Sequence, residues 1–179
     1  MVDLWEFDGS LYQIIWHHLG CCESGMKTMC GIVGLFLKDK SLEPKLGEML
    51  TAMLITMTDR GPDSAGIAIY GGETNGRTKM TVQSDNPDTA FLGLDAALTS
   101  ALGGTVNMTV KSTHAILDIP AGKTALTRVE IDNLDRGIRV MSRGVSLEIF
   151  KEVGLPKDVA SRFEIEQMSG THGIGHTRM

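Results

Sequence analysis

Thirty residues into the chain the sequence becomes orderly, and that stretch constrains the fold most. Gly31-Ile32-Val33-Gly34-Leu35-Phe36-Leu37 is a short apolar run broken by glycines and reads as a buried strand. A polar turn, Lys38-Asp39-Lys40-Ser41, follows it. Leu46, Met49, Leu50, Met53, Leu54 and Met57 then recur at three-and-four spacing, which places them on one face of a helix with Pro44 near its first turn. The methionines of this stripe are most simply core packing. Asp59-Arg60-Gly61-Pro62 should stop the helix, and Ile67-Ala68-Ile69-Tyr70 reads as a second strand closed by Gly71-Gly72.

Beyond residue 72 the pattern is denser. A short strand is expected at Lys79–Gln83, then a helix capped by Thr89 that carries Phe91, Leu94, Leu98 and Leu102 and ends at Gly103-Gly104. Strand-like stretches follow at Thr105–Val110, His114–Ile119, Leu126–Ile131 and Ile138–Met141. Ser146 is placed to cap a short helix ending near Gly154, and Pro156 to open another running to about Gln167. Thr171–Thr177 reads as a strand rich in Gly and His. The segment of about 75–168 looks like an inserted subdomain, a small ferredoxin-like α/β unit suited to partner docking or regulation, or a purely structural elaboration.

Bulk properties narrow the class. A chain of 179 residues suits one ordinary domain, and 42% hydrophobic residues are enough for a buried core. A net charge of -5 without a basic patch or stripe argues against nucleic acid as a partner. No apolar run approaches the ~20 residues that span a bilayer. The acidic Asp3, Glu6 and Asp8 are unlike a secretion signal, so a soluble cytoplasmic protein is expected. Cysteines at 21, 22 and 30 do not make a disulfide framework. The adjacent pairs His17-His18 and Cys21-Cys22 are poorly spaced for tetrahedral zinc.

Three short motifs carry the chemistry. The first is Met29-Cys30-Gly31. If translation began at Met29 and the methionine were removed, Cys30 would become the first residue. Its α-amino group, with a pKa near ~7.7–8, would then lie within reach of its own thiol, making one residue both nucleophile and base. The second is Asp59-Arg60-Gly61-Pro62-Asp63-Ser64-Ala65-Gly66, a shaped polar loop beside a buried strand. The third is Gly173-Ile174-Gly175-His176-Thr177-Arg178, in which Arg178 suits two-pronged capture of a carboxylate.

Cys-Gly-Ile-Val-Gly at 30–34, Arg-Gly-Pro-Asp-Ser-Ala-Gly at 60–66 and Gly-His-Thr-Arg at 175–178, in that order, resemble the opening motifs of class II (N-terminal-nucleophile) glutamine amidotransferases. The resemblance covers Met29 to Met179 as a partial type-2 amidotransferase domain interrupted by the insert. It is nearest to stand-alone glutamate-synthase-like subunits such as the amidotransferase subunit of N-methylglutamate synthase. It implies an α+β fold, the four-layer α-β-β-α sandwich of Ntn hydrolases, here incomplete. It also implies release of ammonia from L-glutamine through a cysteinyl thioester, for transfer to an acceptor in synthase subunits of a glutamate-synthase-like complex. Cys30 corresponds to the nucleophile, Arg178 to the arginine gripping the substrate α-carboxylate, and Arg60 to the loop arginine shaping the pocket. His176 and Thr177 correspond to residues orienting the strand that carries Arg178, and Asp63 and Ser64 to structural members of the loop. The residues imply no metal or organic cofactor, and iron–sulfur or flavin groups would belong to the partner subunits.

The chain departs from the family pattern in two places. Residues 1–28 precede Met29 with an unrelated composition, expected to reflect a misassigned start or a propeptide. The family's downstream Asn-Gly oxyanion pair and the aspartate that holds the substrate amino group have no match in this sequence, so the chain is expected to be a fragment that is poorly active alone. The readings that compete with a glutaminase subunit are an amidophosphoribosyltransferase-type enzyme, a non-catalytic regulatory or scaffold relative, and an N-terminal-nucleophile acylase acting on another amide.

Overall fold

A computed structural model describes residues 4–7, 10–13, 30–72 and 76–179. The pairs His17-His18 and Cys21-Cys22, and the rest of the 1–28 extension apart from two short strands, lie outside the described residues. The chain is mixed α+β and divides into two compact units, Met1–Gly72 with Lys151–Met179, and Glu73–Phe150.

In the first unit β1 (Leu4–Phe7) and β2 (Ser10–Gln13) form an antiparallel hairpin. The main sheet is built from β3 (Gly31–Phe36), β4 (Ser64–Tyr70), the end of β9 (Leu147–Val153) and β10 (His172–Arg178), in the order β3-β10-β4-β9. One face of this sheet is covered by α1 (Leu46–Ile55), whose Leu46, Leu50 and Leu54 are fully buried. Each such leucine contributes about 1.5–3 kcal/mol of transfer free energy. The 3-10 turn Lys40–Lys45 leads into α1, with the Asp39 side chain accepting from the Ser41 amide at 2.9 Å.

The strand alternation sorts side chains onto two faces. Val33, Leu35, Ala65, Ile67 and Ile69 point toward α1. The central strand β10 presents Gly173, Gly175 and Thr177 on that same face. The register sets Gly175 between Val33 and Ile67, and Gly173 between Leu35 and Ile69. The glycines form a trough. A Cβ on Gly175 would lie 2.8 Å from a Leu54 methyl, and one on Gly173 2.7 Å from a Leu50 methyl. The opposite face carries Phe36 and Ile174, 51% and 44% exposed. It also carries the His172 ring, stacked on Tyr70 with centroids 4.0 Å apart.

The second unit runs β5 (Arg77–Gln83), α2 (Pro87–Ala90), α3 (Leu94–Leu102), β6 (Asn107–Lys111), β7 (His114–Pro120), α4 (Thr124–Leu134) and β8 (Arg139–Gly144). Its sheet order is β6-β7-β5-β8, antiparallel throughout, which is the split βαβ arrangement of ferredoxin-like units. Met80, Val82, Leu98, Leu117 and Ile131 fill its core.

Four expectations change. The helix expected from Thr89 is two pieces, because Gly93 takes a left-handed conformation (φ 64) between α2 and α3, and the N-cap position of α2 belongs to Asn86. Leu126–Ile131, expected as a strand, lies inside α4. Its β-branched residues look strand-like, but Thr127 and Ile131, four apart, are buried together while Arg128 and Asp132 pair on the exposed side. The helix expected after Ser146 is the strand β9, in which Phe150 is fully buried. The segment from Pro156 is α5 (Pro156–Arg162) and a 3-10 turn (Ile165–Gln167) separated by Glu164 at φ 54. Both belong to the first unit with α1, so the compact inserted segment ends at Phe150 and not near residue 168.

Gly47 of α1 lies close against the turn after α5. The Gly47 amide donates to the Met168 carbonyl at 3.0 Å, and a Cβ on Gly47 would fall 1.9 Å from the Ile165 carbonyl oxygen. Gly47→Ala should therefore lose about 1–3 kcal/mol or more of stability. Gly34→Ala, where a Cβ meets nothing within 4 Å, should stay within about 0.5 kcal/mol of the parent. Urea unfolding of the two variants side by side checks this, and equal midpoints would refute the packing assignment.

Candidate active site

The three sequence motifs meet at one end of the first sheet. Cys30 immediately precedes β3, the polar loop of Arg60 to Asp63 leads into β4, and Arg178 ends the antiparallel strand between them. The β3–β10 ladder runs to the pair Gly31–Thr177, and on the other side Arg178 pairs with Ser64. Continuing the first ladder by one residue sets Cys30 across from Arg178. By alternation Cys30, Arg178 and Ser64 then share a row on the sheet face away from α1, with His176 one row further in.

Backbone contacts hold this corner. The 3-10 turn Thr58–Arg60 carries Arg60 out of the helix end, and the Thr58 hydroxyl donates to the Ile55 carbonyl at 2.6 Å. Gly61 then lies against the end of β10, where a Cβ would be 2.6 Å from the Arg178 nitrogen. Only glycine permits that approach. The Asp63 amide donates to the Arg178 carbonyl at 3.1 Å, and the Asp63 carbonyl accepts from the Gly154 amide at 2.8 Å. Asp63 thus ties three segments together through its main chain.

Thr177 is fully buried on the α1 side, its hydroxyl donating to the Met57 carbonyl at 3.4 Å and sitting under Gly31. It holds the strand end from the face opposite Cys30 and Arg178. Cys30 is exposed and forms no disulfide with a described residue. Arg178 is exposed and Arg60 half-buried, and neither guanidinium forms an ion pair with any described residue. His176 is half-buried. Burial first, and then the cations of Lys151 and Arg178, hold its imidazole below the ordinary value of 6.5, so it is neutral at neutral pH.

The sheet end therefore offers one thiol, two uncommitted guanidiniums, a hydroxyl at Ser64 and a neutral imidazole. Nucleophilic attack on a substrate bearing a carboxylate lies within the reach of such a set. Among the described residues no group of three or more His, Cys, Asp or Glu is placed to hold a metal ion. Lys151 was not legible as part of this corner, because its position depends on β9 being a strand beside β4.

The chain is 56% identical over 151 residues to the glutamine amidotransferase-like protein GlxB of Rhizobium meliloti, an alignment covering 84% of this chain and 50% of that protein. It is 33% identical over 159 residues to the "Putative glutamine amidotransferase" of Methanothermobacter thermautotrophicus, covering 84% of this chain and 52% of that protein. The chain spans about half the length of the curated relatives it matches. No protein-family model matches the chain. Among the described residues no helix is long and apolar enough to cross a membrane.

The depressed His176 has a pH signature. The unfolded chain takes up the proton first as pH falls, so this contribution is fully present above about pH 6.5 and is lost as pH drops from there through the folded pKa. His176→Gln should flatten that part of the stability profile, measured as the denaturant midpoint against pH. In NMR titrations Arg178→Gln should raise the His176 pKa only slightly, because burial is the larger cause. A full return to 6.5 in that variant would reverse the ranking of causes.

Proposed function

We propose that this chain forms part of a glutamine-hydrolysing amidotransferase of the N-terminal-nucleophile type, with Cys30 as nucleophile and Arg178 as the grip on the substrate α-carboxylate. The observation that carries the reading is the Gly31–Thr177 pair that ends the β3–β10 ladder, since the next residue on each side is Cys30 and Arg178, from motifs at opposite ends of the sequence. The sheet with a helix layer on one face and exposed apolar side chains on the other fits one half of an α-β-β-α sandwich.

In this mechanism the Cys30 sulfur attacks the side-chain amide carbon of glutamine. The C–N bond breaks, and the nitrogen leaves as ammonia with the proton that the thiol lost to the Cys30 α-amino group. The product is a glutamyl thioester. Water then attacks the thioester carbon, releasing glutamate and restoring the thiol. Arg178, exposed and without an ion pair among the described residues, holds the α-carboxylate two-pronged, and Arg60 borders the same corner. Neutral His176 adds no cation beside Arg178. Ammonia passes to an acceptor in a glutamate-synthase-like partner.

The mechanism requires a free amine on Cys30, which a peptide bond to Met29 removes. Intact mass spectrometry of the protein from its native gene tests this. A working chain beginning at Cys30 supports the glutaminase, and a chain that retains Met29 on Cys30 favours the non-catalytic regulatory reading.

In the mature protein, Cys30→Ala should abolish glutamate release from glutamine. Arg178→Ala should raise the KM for glutamine about 10- to 100-fold, the equivalent of a charged hydrogen bond worth about 1.5–3 kcal/mol, with a smaller effect on kcat. Steady-state kinetics of both variants checks this, and an Arg178→Ala enzyme with unchanged KM would remove Arg178 from the substrate site.

A further inference from the structure

We propose that the groove between α4 and the edge strand β8 is a binding site for a small aliphatic dicarboxylate. The groove has a volume of about 280 Å³, at the small end for ligand pockets and suited to a metabolite-sized molecule. It is lined by the apolar residues Met80, Val140 and Met141 and by the polar residues Thr124, Arg128, Ser142 and Arg143, with the Ser142 hydroxyl donating to Thr81.

The placement of the two arginines follows from the sheet. Arg143 pairs with Met80 in the β5–β8 ladder. Thr81 pairs with Ser142 and Val82 with Val140, so Met141 is the extra residue of a bulge in β8. Arg128 stands on α4 one turn after Thr124, on the other bank of the groove.

These arginines differ from the other three of the inserted unit, all of which serve the fold. Arg77 donates to Asp118 at 2.8 Å and to the Thr105 and Asp118 carbonyls. Arg136 donates to the Leu92 carbonyl at 2.8 Å, and Arg139 to Gln83 and Asp85. Arg143 forms no ion pair with a described residue. Arg128 has only a 3.7 Å contact to Asp132, both side chains at least 60% exposed. A surface pair of that kind is worth under about 1 kcal/mol and yields readily to a better anion.

The lining selects the ligand class. Two guanidiniums across an apolar floor match two carboxylates joined by a few methylenes. A monocarboxylate leaves one guanidinium unmatched, and inorganic phosphate makes no use of the Met80–Val140–Met141 floor. Among the described residues that line the groove none is a carboxylate to receive an ammonium, so a plain dicarboxylate fits better than an amino dicarboxylate.

Calorimetric titration of the full chain with glutarate tests the site, with butyrate and inorganic phosphate as comparators. Saturable glutarate binding is expected, at least tenfold tighter than either comparator and weakened tenfold or more by Arg143→Gln and by Arg128→Gln. Absence of glutarate binding, equal affinity for phosphate, or unchanged affinity in both variants would overturn the proposal. Methionine-methyl NMR of the unmutated protein gives an independent reading that does not depend on the variants folding. Glutarate should shift the Met80 and Met141 methyl signals, and binding that leaves both unmoved places it elsewhere.

Discussion

The sheet of the first unit depends on the seating of α1 in the glycine trough of β10. Successive helix positions four apart rise about 6 Å, and alternate strand positions advance about 6.8 Å. Leu50 over Gly173, Leu54 over Gly175 and Met57 beside Thr177 and Gly31 follow that near match in step. Side chains at residues 173 or 175 would lift the helix from the strand. Val33, Leu35, Ile67 and Ile69 flank the trough and complete the layer. The same contacts fix where β10 ends, and with it the corner that holds Arg178.

Strand alternation then divides labour between neighbours in sequence. Thr177 is locked into the helix-facing layer, and Arg178 points away from it. A one-residue slip of β10 would bury the guanidinium under α1 and expose the threonine, so register is specified strongly. Gly61 and Asp63 reinforce it from the side through backbone contacts alone. Asp63 joins its loop to Arg178 and to Gly154 through main-chain hydrogen bonds.

Much of the first unit was legible. The stripe from Leu46 to Met57 gave α1, and the glycine-broken runs at residues 31 and 173 gave β3 and β10, because each has a clean period. The candidate site was legible as three motifs, but not as a geometry. Nothing local reveals that β10 lies between β3 and β4, which is a long-range pairing. The misread segments share another cause. Leu126–Ile131 and Leu147–Val153 mix β-branched, charged and aliphatic residues without a decisive period, and burial of Thr127 with Ile131, and of Phe150, settles them. The end of the insert was missed for the same reason: α5 packs by Val159 and Phe163 into the first unit, and sequence alone does not say which core an amphipathic helix will join.

The position of β10 also bears on the order of folding. Its partners β3 and β4 lie more than a hundred residues earlier in the chain, and pairings of that separation form slowly. The insert from Glu73 to Phe150 is contiguous and has its own core, so it can close by itself. Once closed, it replaces a long flexible loop with a compact body and lowers the entropic cost of bringing β10 back between its partners. Until that last strand enters, the thiol and the guanidinium belong to unconnected stretches of chain. The corner at which Cys30 and Arg178 come together is therefore among the last features of the first unit to form.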